Sequence, residues 1–308
     1  MINQRRLAMT TLVFQAGIVF TGSIVRVTGS GLGCPTWPDC QPGSLIPVAG
    51  ARPAIHQAIE WGNRLLTFVV AAAAIALVIS VFKGRRRSSI KTLAIVQIVG
   101  VVVQAIIGGL SVLLQLPWWA VALHFLPSMI LVFLAAVLWV KIAEPDAGTP
   151  TQMYPEPLAK LASFTAFILL VVLSTGTMVT GAGEHAGDAE AGQSGRLGID
   201  LAYMAQIHAH FMYLYLGLTV GLIVALFTVK ARAKTIRFGW TLVVLTIIQG
   251  AIGIIQFNFG VPRWTVPFHV VLSGIVTAYM GILWARGRQL RATESAAAYT
   301  LPETQETR

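Results

Sequence analysis

Eight apolar stretches long enough to cross a bilayer dominate this chain. They lie at roughly residues 8–27, 57–82, 92–114, 119–141, 159–180, 201–229, 238–258 and 266–285. A helix needs about 20 residues to cross roughly 30 Å of hydrocarbon. Hydrocarbon offers no water to backbone N–H and C=O groups, so segments that cross it bond internally as helices. The spacing therefore predicts an all-α integral membrane protein of eight transmembrane helices. Composition agrees. The chain is 56% hydrophobic and 11% charged, where a soluble domain carries about 25% charged residues. The first stretch, from about Leu7 to Val27, is long enough to span and has no small-residue cleavage site after it, which predicts a retained helix and not a signal peptide.

The formal net charge of +10 invites a nucleic-acid reading, but its distribution argues against one. Seventeen of the 22 Lys and Arg fall on one set of loops and ends, from Arg5 and Arg6 through Arg85, Arg86 and Arg87 to Arg286, Arg288 and Arg291. The other side holds only Arg26, Arg52, Arg64, Arg196 and Arg263. This bias sets topology, predicts both termini in the cytoplasm of a plasma-membrane protein, and gives no reason to expect a nucleic-acid partner. Glu144 to Lys160 carries four prolines and reads as a linker between two halves. The polar tail from 292 onward reads as disordered.

Self-comparison shows an internal repeat. At an offset of 145 residues, Gln104 falls on Gln249, Gly108 on Gly253, Pro117 on Pro262, Trp119 on Trp264, His124 on His269 and Ser128 on Ser273. Shared Val and Ile could arise by chance; Pro, Trp, Gly, Gln and His in one frame are poorly explained that way. Residues 1–145 and 146–291 are then two four-helix halves. An even helix number per repeat predicts the same orientation for both, related by an axis along the membrane normal, as two bundles side by side.

All six histidines fall on the side opposite the basic loops. His124, His208 and His269 lie one or two turns inside their helices, where an ionisable group suggests function. His208 and His269, on helices 6 and 8, map by the repeat to Asn63 and His124 on helices 2 and 4. Two imidazoles facing each other across a bundle suit axial ligation of haem iron. Snorkelling or end-capping histidines are the plainer alternative, though a repeated pair in register favours ligation. His210 lies about 200° around the helix from His208 and cannot face the same site; the register selects His208. Zinc would need further nitrogen or sulfur ligands, and the two cysteines lie in the other half.

The first half carries the charge. Residues 21–40 read TGSIVRVTGSGLGCPTWPDC, and helix 2 opens with HQAIEWGNR at 56–64. Glu60 and Arg64 share a helical face; Arg26 ends helix 1. Their repeat partners at 205 and 209 are alanines. Arginines suit carboxylates such as haem propionates, and Glu60 could carry protons as a general base; a structural Glu60–Arg64 ion pair is the alternative. Cys34 and Cys40 lie in an outer loop, where either a disulfide or redox reactivity is open to them.

These motifs resemble those of the haem A synthase family. The TGSGLGCPTWPDC loop, EWGNR, the ALHF of helix 4 and the paired four-helix halves carry the resemblance over about residues 8–288. It implies oxidation of a methyl group of haem O to a formyl group, giving haem A for cytochrome oxidase. It further implies a resident haem b between His208 and His269, a substrate haem O at His124 in the first half, and Cys34–Cys40 as the family's loop cysteines. Implied partners are an electron donor, haem O synthase and cytochrome oxidase assembly proteins. Glu60 and Arg64 match the helix-2 motif; Asn63 does not, because histidine is expected there. His56 shares a face with Asn63 but sits about 10 Å along the axis. Rival readings are a quinol-linked b-type cytochrome, which leaves Glu60 and Arg26 without a task, and a parallel-repeat transporter, which would place its ionisable groups near mid-membrane.

Overall fold

A computed structural model describes residues 3–183 and 195–292. His185 and the tail beyond 292 lie outside the described residues. Eight helices long and apolar enough to cross a membrane follow one another: α1 (Gln4–Val27), α2 (Ala54–Lys83), α3 (Ser88–Leu113), α4 (Trp118–Lys141), α5 (Glu156–Ala182), α6 (Leu201–Thr228), α7 (Ala233–Asn258) and α8 (Thr265–Arg286). Several helices extend a turn beyond the apolar stretch at the basic end, because polar residues outside hydrocarbon still complete helical hydrogen bonds. Asn3 caps α1 by accepting from Arg5 N at 2.9 Å. Asp200 caps α6 by accepting from Tyr203 N at 2.8 Å.

The helices pack as two rings. In one, α1 touches α2, α2 touches α3, α3 touches α4, and α4 closes on α1; α5 to α8 repeat this order. Within each ring α2 and α4, or α6 and α8, are therefore diagonal. The rings meet through α4 on α8, α1 on α8 and α4 on α5. Lipid tails are as apolar as leucine, so helices in a bilayer gain from close van der Waals approach at small residues. Ala135, Ala136, Ala278 and Ala285 form this interface. A Cβ placed on Gly281 would lie 2.8 Å from Phe133 O and 3.2 Å from Ala136 Cβ. Ala136 and Gly281 are repeat partners, so each half touches its own equivalent in the other. Deep in the first ring, Gln15 Nε2 donates to Gln97 Oε1 at 3.1 Å, and Gln97 Nε2 to Leu131 O at 3.3 Å.

The linker is more ordered than its prolines suggest. Strand β1 (Thr149–Gln152) pairs antiparallel with β2 (Arg288–Arg291), just after α8. A two-stranded ribbon has free edges on both sides, which is why Pro150 is tolerated. Glu144 gathers Arg87 at 2.7 Å, Lys141 at 3.2 Å and the Leu290 amide at 3.3 Å. Arg86 bonds Asp146 at 2.8 Å and Gln4 Oε1 at 2.7 Å. Part of the basic charge thus ties the α2–α3 turn to the linker and to the end of α8. Gly148 enters the ribbon at φ +148°, and a Cβ there would lie 2.0 Å from Arg291 O. Gly148→Ala should therefore cost about 1–3 kcal/mol, read as a lowered thermal midpoint of the detergent-purified protein; an unchanged midpoint would show that the ribbon contributes nothing to stability.

Candidate functional site

Three histidines share one local design. A Cβ on Gly108 of α3 would lie 3.0 Å from His124 Cε1, one on Gly176 of α5 would lie 3.2 Å from His208 Cε1, and one on Gly253 of α7 would lie 3.5 Å from His269 Cε1. Each imidazole rests against a glycine of a neighbouring helix; at Gly108 and Gly176 an added methyl would press on the ring, whereas at Gly253 it would make ordinary contact. His208 and His269 come from the diagonal helices of the second ring. His210, two residues on, is exposed, as the helical angle requires.

Neighbouring polar groups orient the rings. Thr175 Oγ1 lies 3.0 Å from Val171 O and from Val172 O, and 3.1 Å from His208 Nδ1. Its hydroxyl proton goes to the helix carbonyls, so it accepts from Nδ1–H, and the Nε2 lone pair is left for a metal. This is the usual support for a ligating histidine. Gln249 Nε2 donates to His269 O at 2.9 Å. Its repeat partner Gln104, with the amide nitrogen turned to α4, reaches His124 Nδ1 at 2.8 Å and His124 O at 3.0 Å. Turned over, that amide would favour the Nδ1–H tautomer instead. His269 Nδ1 is buried with no hydrogen-bond partner among the described residues. Among the described residues no group of three His, Cys, Asp or Glu converges there. Two histidines on diagonal helices would suit a planar iron macrocycle better than a tetrahedral ion, which wants four protein or water ligands.

The first ring wears a folded cap, residues 28–53, built on a disulfide. Cys34 and Cys40 are fully buried and bonded. Glu60 Oε2 accepts from Cys34 N at 2.6 Å, and Glu60 Oε1 holds Arg64 Nη2 at 2.7 Å. Arg64 also donates to Cys34 O at 2.7 Å and Asp39 O at 3.0 Å. Gln57 bonds Val48 through both its amide ends, at 3.0 Å each, and reaches Arg52 O at 2.9 Å. Trp37 covers Gly109 of α3. Glu60 is buried, and its carboxylate is held by the Cys34 amide and the Arg64 guanidinium. The expected Glu60–Arg64 contact is present, and both groups also clamp the cap.

Asn63 is half-buried and faces α1, where Thr21 Oγ1 donates to its Oδ1 at 2.7 Å. His56 lies at the start of α2 beneath the cap: a Cβ on Gly33 would lie 2.5 Å from His56 C and O. His56 therefore belongs to the cap contact. Arg26, in the last turn of α1, is one helical turn beyond Gly22 and on its face. The supporting residues Thr21, Thr175, Gln57 and Gly176 were not singled out in the sequence, whereas Gly108 and Gly253 were paired there by the repeat. One signal was available. In helices α1 and α5 the repeat offset becomes 154, which puts Thr21 on Thr175 and Gly22 on Gly176. The longer cap accounts for the change.

The fold defines a multi-pass membrane protein of eight helices. Residues 5–281 match the family described as cytochrome oxidase assembly protein, COX15-CtaA, and the chain belongs to that family. Among curated relatives it is 27% identical to the Heme A synthase of Staphylococcus haemolyticus, over 91% of this chain and 95% of that protein. It is 32% identical to that of Exiguobacterium sibiricum over 54% of this chain and 58% of the relative. It is 28% identical to that of Bacillus licheniformis over 48% of each. The chain thus spans only about half the length of the last two.

The cap makes a separate forecast. Gly33→Ala would push the cap off the α2 backbone and break the Cys34 N–Glu60 bond. Limited proteolysis of membranes should then cut within 28–53 at least about tenfold faster, the equivalent of 1.4 kcal/mol. Wild-type protection would show that the α2 start yields to the added methyl.

Proposed function

We propose that this chain converts haem O to haem A for cytochrome oxidase, taking one methyl group to a formyl group by two hydroxylations and loss of water. The observation that carries the reading is the pair His208 and His269 on diagonal helices, joined to family membership and to relatives named Heme A synthase. In this reading α5–α8 hold a resident haem b through His208 and His269, and α1–α4 take the substrate haem at His124. The resident haem, when bound, supplies one-electron transfer. Thr175 keeps His208 in the ligating tautomer. The glycines at 108, 176 and 253 let each ring enter. Arg26, on the rim of the first ring, offers a cation for a propionate. Glu60, beside Asn63 on α2, is the carboxylate placed to accept a proton, and the cap excludes water above it.

The two halves act as parallel repeats, each one domain. The Ala136–Gly281 contact between repeat partners and the matched pairs α1–α8 and α5–α4 support a pseudo-two-fold axis along the membrane normal. The basic loops, by the usual charge bias, lie in the cytoplasm with both termini, in the plasma membrane. The partners are an electron donor, haem O synthase and oxidase assembly proteins. A quinol-linked cytochrome would account for His208 and His269, yet it leaves the glycine-cradled His124 unused.

Two expected outcomes test this. His208→Ala and His269→Ala should each abolish a six-coordinate, low-spin b haem in membranes that still contain the protein, while His210→Ala keeps it; the reverse pattern at 208 and 210 would overturn the assignment. Glu60→Ala should keep that haem and stop haem A formation, measured by haem extraction and chromatography. Glu60→Gln, which still accepts from Cys34 N, should hold the cap yet remain inactive. Full activity in Glu60→Gln would reduce Glu60 to a clamp.

A further inference from the structure

The two rings differ at one axial position, and the difference is local. Thr175 and Gly176 of α5 face His208; Thr21 and Gly22 of α1 stand in the matching places of the repeat, and Thr21 contacts Asn63. The hydroxyl contact is kept: Thr175 Oγ1 meets His208 Nδ1 at 3.1 Å, and Thr21 Oγ1 donates to Asn63 Oδ1 at 2.7 Å. The filling of the site is not kept. A Cβ on Gly176 would come within 3.2 Å of the imidazole, whereas one on Gly22 would meet nothing within 4 Å. The reason is side-chain length. Asparagine ends at the δ atoms, and here its Oδ1 takes the place of His208 Nδ1. It has no atom where Nε2, the ligating nitrogen, would be. With Oδ1 engaged by Thr21, the amide has only its Nδ2 hydrogens left to offer.

We propose that Thr21, Gly22 and Asn63 frame a ligand site on the side of the first-ring haem opposite His124. It would take a small neutral nitrogen or oxygen donor, from water up to an imidazole in size. The inference rests on the reading that His124 holds the substrate haem. It assigns Asn63 a positioning role: its amide hydrogens steady the incoming donor, and Gly22 supplies the room. One firm protein ligand in the first ring, against two in the second, suits a haem that must arrive and leave. A second firm ligand would have to be broken at each exchange.

The test uses the full-length protein, purified in detergent, loaded with haem O and examined by optical and electron paramagnetic resonance spectroscopy. A high-spin component, lost in His124→Ala, should accompany the low-spin haem of the second ring. Added imidazole should convert it to low spin. Asn63→His should be low-spin without imidazole and show no further response. Gly22→Leu should keep the high-spin component and lose the imidazole response. Should Gly22→Leu fail to fold, Asn63→His carries the test alone. A His124-dependent haem that is already low-spin in the native protein and insensitive to imidazole would overturn the proposed site while leaving the function intact. A haem complement unchanged in His124→Ala would overturn the parent reading, and this inference with it.

Discussion

Hydrocarbon provides no hydrogen-bonding solvent, and the architecture follows from that one constraint. Each polar atom placed within the bilayer must find its partner inside the protein or stand ready for a ligand. Gln15 and Gln97 solve this by bonding each other and the Leu131 carbonyl. Glu60 solves it with an arginine and a backbone amide. The histidines solve it only in part. His208 has Thr175 on one nitrogen, and His269 has a buried nitrogen with no partner among the described residues.

The same constraint explains why the halves diverge where they do. Toward the basic ends of α4 and α8 the repeat is held to small, close-packed residues such as Ala136 and Gly281, because that contact joins the rings. At the ends facing away from the basic loops, water is near and charge is tolerated. There one half grew a disulfide-closed cap clamped by Gln57, Glu60 and Arg64, while its repeat partners at 205 and 209 are alanines. Asn63 stands where the second half has His208, and it contacts Thr21, the repeat partner of the Thr175 that holds that histidine.

Much of this was legible beforehand, for physical reasons. Eight helices follow from apolar length alone, and the structure returns all eight with ends shifted by a few residues. The helical angle showed only that His208 and His210 cannot share one site, and the repeat register selected His208. The linker was harder. Its prolines read only as a linker between the halves, and the pairing of Thr149–Gln152 with Arg288–Arg291 went unseen, because strand pairing across more than a hundred residues leaves no local pattern. The threonine partners were missed because the offset changes from 145 to 154 across the cap, which breaks a gapless comparison.

The sequence by itself determined the helix count, the repeat, the bias of basic residues to one side and the identity of the histidines worth testing. These are properties of composition and spacing, and the bilayer translates them almost directly. Only the tertiary structure decided which helices are diagonal, which glycine faces which imidazole, that Cys34 bonds Cys40, and that Glu60 and Arg64 hold a loop as well as each other. Those facts depend on side chains from distant segments meeting within a few ångströms. Such meetings are set by packing of the whole bundle, which no local stretch of sequence encodes.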